Sequence, residues 1–122
     1  MAKIVHDDVL DGALNILKNN ATIMIATSAQ PTTRTEAVTT YALADVVMGS
    51  GDFTVADDTS GRKVTMTAKT GVTVDTGGTA THVALVDAST KLLYVTTCTS
   101  QALTGGNTVN FPAWKIGIAD PT

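Results

Sequence analysis

The chain has 122 residues, 43% of them hydrophobic and only 16% charged, with a net charge of −3. That length suits one domain with its own core, so residues 1–122 are expected to form a single unit. Scattered cations, with Arg62-Lys63 the only adjacent pair, exclude a nucleic-acid surface, which needs clustered Lys and Arg, and no stretch nears the roughly 18 apolar residues of a membrane span. Threonine, at 23 copies, takes the place of the missing charge, and β-branched side chains favour pleated strands.

The first eight residues turn acidic at once, at Asp7 and Asp8, and have no signal-peptide core. Retention in the cytosol is expected, unless the chain leaves as part of a larger particle. Residues 8–19 read as the one clear helix. Asp7 or Asp8 is its expected cap, and Val9, Leu10, Ala13, Leu14, Ile16 and Leu17 form one broad apolar stripe. Gly12 weakens it by about 1 kcal/mol relative to alanine, so docking on a sheet is expected to hold it.

Residues 21–26 are a short apolar run suited to a buried strand, and Pro31 marks a loop. Residues 35–47 fit either a helical turn or two or an irregular arm that reaches a neighbour. After the break at 48–52 the pattern becomes regular. Strands are expected at 53–56, 63–68, 72–74, 80–86, 92–97, 109–111 and 114–119, separated by turns rich in Gly and Asp. Pro112 interrupts or bends the strand at 109–111. About seven short strands at this spacing predict a mainly β fold: a small β-sandwich, or a barrel-like variant, with the N-terminal helix packed on it.

Chemistry-bearing residues are few. Cys98 is a single thiol in a strand-like context, so one chain forms no internal disulfide or cysteine-based zinc site. It reads as a half-buried small hydrophobe. His6 beside Asp7 and Asp8 makes a poor metal set, because consecutive residues rarely converge on one ion. His82 lies inside the strongest strand, on the face expected to hold Ala80, Ala84 and Val86, which suits a structural or contact residue better than a general base. Asp57-Asp58 precedes Thr59-Ser60-Gly61; a turn explains the pair, with calcium as the competing reading. The glycine pairs 77–78 and 105–106 lack the lysine and helix start of a phosphate loop, and no Gly-x-Ser-x-Gly elbow is present. No catalytic, cofactor or metal residue is therefore assigned, and an enzyme is not expected. Short uncharged surface side chains instead suit subunit packing.

The order of features resembles a family of small virion proteins of tailed bacteriophages, variously labelled tail fibre or virion structural protein. The resemblance rests on the helix at 8–15, on 78–87, 92–95 and 103–114, and on the segments 30–33 and 60–63. It implies a non-enzymatic virion component, made in the bacterial cytoplasm and carrying no cofactor. The expected role is an auxiliary capsid protein that cements or decorates the head shell against the major capsid protein or other virion subunits, as a homo-oligomer closed most simply as a trimer. The helix end and the 30–50 segment are the expected contact elements, with Arg34, Tyr41 and Trp114 as interface anchors. Two other readings stay open: a tail-associated fibre, baseplate or neck component, and a carbohydrate-binding module that uses Trp114.

Overall fold

In the computed structural model, which describes residues 4–120, the chain is mainly β, with nine strands and one N-terminal α-helix among those residues. Helix α1 spans Asp7–Asn20. Its cap is His6, not Asp7 or Asp8: the His6 backbone is extended and its Nδ1 accepts from the Asp8 amide at 3.1 Å. The two aspartates occupy the first turn, where carboxylates favour the positive end of the helix dipole. At the other end, Asn20 Nδ2 donates to the Ile16 carbonyl at 2.9 Å, satisfying one of the orphan acceptors. The buried stripe is narrower than the sequence suggests. Leu10, Leu14 and Leu17 face the protein, whereas Val9 and Ile16 are 67% and 55% exposed.

The strands are β1 (Ile23–Thr27), β2 (Ala42–Val47), β3 (Phe53–Asp57), β4 (Arg62–Met66), β5 (Lys69–Thr73), β6 (Gly78–Val86), β7 (Leu92–Leu103), β8 (Thr108–Phe111) and β9 (Trp114–Ile118). They form a four-stranded sheet in the order β2-β1-β6-β7, a three-stranded sheet β3-β4-β9, and the pair β5-β8. The pairings within these sheets are antiparallel. This is a small β-sandwich. The main core lies between the two larger sheets, with Met24, Ala26 and Leu85 from one and Phe53, Val64, Met66 and Ile116 from the other. Leu14 and Leu17 enter the same cluster. Arg62 fixes the helix to β4, donating from Nε and Nη2 to the Asp11 carboxylate at 2.8 and 3.2 Å.

The 35–47 zone resolves into two parts: a π-helical turn at Glu36–Thr40, and then β2, which pairs with β1 along its length. The segment ahead of β2 covers the second face of the four-stranded sheet. There Ala37 is fully buried with Ile25, Ala84 and Val86. The register of β6 against β7 shifts between Ala80 and His82. Ala80 joins the main core while Ala84 and Val86 lie in the second cluster, so the single face expected for all of them is split.

Candidate interaction surface

From Leu92 to Trp114 no side chain is charged, although the chain holds eight basic and eleven acidic residues elsewhere. This run folds into β7, β8 and the first residue of β9. Strand β7 stands at the edge of its sheet. Thr97, Thr99, Ser100, Gln101 and Ala102 are exposed along it. The chain breaks at Pro112-Ala113 between β8 and β9, where proline cannot donate to a ladder. Beside this break, two open cavities of about 210 and 270 Å³ share Val83, Cys98, Phe111 and Pro112 as walls. Together they form an apolar groove next to a neutral strand.

Trp114 lines the larger cavity. Its ring lies 6.0 Å from that of Tyr94, tilted by 34°, and its Nε1 donates to Met24 Sδ at 3.4 Å. These contacts fix the indole within the groove wall. Burial pushes the Cys98 thiol pKa up, which keeps it protonated and weakens it as a nucleophile.

Arg34 and Tyr41 belong to the segment covering the opposite sheet face. Arg34 is committed within the chain: Nε and Nη2 donate to the Asp87 carbonyl at 3.2 and 3.0 Å, and Nη2 to the Ala88 carbonyl at 3.1 Å. The Asp87 carboxylate accepts from the amides of Lys91, Thr90 and Ser89 at 2.8, 2.7 and 3.0 Å. Those donors, the Lys91 amide foremost, hold its pKa far below the usual carboxylate range. Tyr41 is half-buried, its amide donating to the Glu36 carbonyl at 2.8 Å. Of the three expected anchors, only Trp114 lies in the groove. The Arg34 clamp joins positions 53 apart in sequence, a pairing that local patterning does not reveal. The uncharged run that marks the groove was visible in the sequence as a gap between Lys91 and Lys115.

The other candidates have structural partners. His82 Nδ1 lies 2.8 Å from Thr81 Oγ1. The two carboxylates of the β3–β4 turn serve different cations. Asp57 accepts from Arg62 Nη1 at 2.7 Å, and Asp58 accepts from Lys115 Nζ with both oxygens at 2.8 Å. Lys115 holds the Asp58 pKa below its ordinary value. Hydrogen bonds to Asp11 and then Asp57 push the Arg62 pKa above the ordinary guanidinium range. Among the described residues, no three His, Cys, Asp or Glu side chains gather as a metal site. Comparison of the chain with protein-family models, curated proteins and solved structures gave no match.

Proposed function

We propose that this protein is a non-enzymatic structural subunit of a tailed-bacteriophage particle, acting as an auxiliary capsid protein that braces the head shell. The observation that carries the reading is the segregation of charge. An uncharged run from Leu92 to Trp114 makes an exposed edge strand and most of the wall of the apolar groove beside it. Exposed edges are normally blunted with charge or proline, and depletion of charge is the compositional mark of an interface core. The resemblance to small virion proteins adds the setting. In a shell, weak contacts repeated over many copies add through multivalency.

A tail-associated position is the competing reading, and copy number separates the two. Quantitative mass spectrometry of phage particles purified from cells expressing the gene is expected to give on the order of hundreds of copies per particle for a shell protein. About a dozen or fewer points to the tail, in keeping with its lower symmetry. Particles that lack the chain altogether sink both. Glycan recognition has less support, because Tyr94 and Met24 already engage the Trp114 ring and its N–H.

A further inference from the structure

Residues 28–41, between β1 and β2, form a loop closed on itself. At its base the Ser28 amide donates to the Tyr41 carbonyl at 3.0 Å, and Thr27 Oγ1 donates to the Ala29 carbonyl at 2.8 Å. Within it, Glu36 Oε1 accepts from the Thr32 amide and Oγ1 at 2.8 and 2.7 Å. The Ala37 amide donates to the Thr33 carbonyl at 3.2 Å. Joined ends and internal bonds mark a compact surface loop, and proteins open locally in cooperative units of this kind.

Two features hold the loop down. One is a small plug. Pro31 and Ala37 are its buried residues, and Ala37 lies with Ile25, Ala84 and Val86, with Val38 half-buried beside them. Such short side chains remove little apolar area from water. The other is Arg34: among the described residues, it alone donates from the loop to groups beyond its base, the Asp87 and Ala88 carbonyls. The sheet beneath is complete without the loop, since β1 already pairs with β2 on one side and β6 on the other. Lifting the loop therefore breaks no bond of the ladder. We infer that residues 28–41 are a latched flap, opening as one body on the Ser28–Tyr41 base and uncovering the Ile25, Ala84 and Val86 face while the sheets stay paired. The flap withholds an apolar sheet face from water and from other chains until the Arg34 latch lets go. It is independent of the particle proposed above.

Thiol labelling of the full chain in a Cys98→Ser background tests it. Ala84→Cys places a thiol beneath the flap, and Ala44→Cys places one in the main core, where Ala44 is 1% exposed. With iodoacetamide at low urea, Ala84→Cys is expected to react at least about tenfold faster than Ala44→Cys, and with a much weaker dependence on urea. Arg34→Met removes the latch and is expected to speed labelling of Ala84→Cys by about tenfold or more, the weight of a charged hydrogen bond. Ile116→Val weakens the main core, which the closed and open forms share. It is expected to speed Ala44→Cys by about 2–10-fold and to leave Ala84→Cys unchanged. Equal urea dependence at the two positions, an Ala84→Cys rate that rises with Ile116→Val as Ala44→Cys does, or one unmoved by Arg34→Met, each overturns the inference.

Discussion

Replacing Gly61 by alanine probes how closely the β3–β4 turn rides on the chain leaving β9. Gly61 has φ +74°, and a Cβ built there runs into the Ile118 carbonyl oxygen and comes within 2.9 Å of Ala119 backbone atoms. Gly71 is the matched control: its φ is +66°, but a Cβ there meets nothing within 4 Å. For both, the left-handed backbone costs an L-residue about 1–2 kcal/mol, partly offset by about 0.4–1 kcal/mol from the stiffer unfolded chain. Gly71→Ala should therefore lose about 0.5–1 kcal/mol. Gly61→Ala adds the cost of moving backbone in a packed site, about 1–3 kcal/mol, for a net loss of about 1.5–4 kcal/mol. Urea denaturation followed by circular dichroism measures both, with the slope m expected to stay constant. If Gly61→Ala is no worse than Gly71→Ala, the close approach of turn and strand exit is wrong.

Leu14, 1% exposed in the main core, should lose about 2–5 kcal/mol on truncation to alanine, whereas Ile16→Ala, at a position 55% exposed, should stay within about 0.5 kcal/mol; chemical denaturation compares them. Arg34→Lys removes the fork that holds two carbonyls of the β6–β7 turn. Charged hydrogen bonds of this kind contribute about 1.5–3 kcal/mol. Hydrogen exchange should accelerate across residues 28–41 with α1 unchanged, and uniform acceleration would contradict the clamp. Asp87, Asp58, Asp52 and Glu36 all have depressed pKa values, so their contribution to stability is present above the unfolded carboxylate range and is lost as pH falls through the folded values. Asp45 runs the other way, its pKa raised by burial and then by Asp75, so its protonation favours the fold. With four against one, Tm should hold near neutral pH and decline from about pH 4.5 towards 2; a Tm that climbs over that interval would refute the assignment.

Elements with strong local signals were legible before the structure. Strand β6 shows its β-branched run, and α1 shows its leucines at 10, 14 and 17. Strand β2 was missed because it follows a π-helical turn with no capping side chain, and its apolar residues fit helix or strand equally well. Strand β7 runs on to Leu103, beyond the expected 97, because residues 97–102 are mostly exposed and lack apolar alternation. Of the site, the uncharged run was visible while the groove was not, since its walls come from β1, β6, β7, β8 and β9. The clamps Arg34–Asp87 and Arg62–Asp11 join distant positions, where no periodicity reports. The His6 cap was hidden by the two neighbouring aspartates, which are the commoner cap residues.

The pairing of β4 with β9, Met66 against Trp114 and Arg62 against Ile118, also sets a timetable for synthesis. At about 5–20 residues per second, β4 leaves the ribosome seconds before its second neighbour exists. Through that interval the chain holds only the β3–β4 hairpin of its three-stranded sheet, with one edge of β4 unpaired and Val64 lacking Ile116 opposite. Contacts so distant in sequence form slowly. A chain that stops before Trp114 is therefore expected to be a substrate for proteases, not a smaller folded version of the domain.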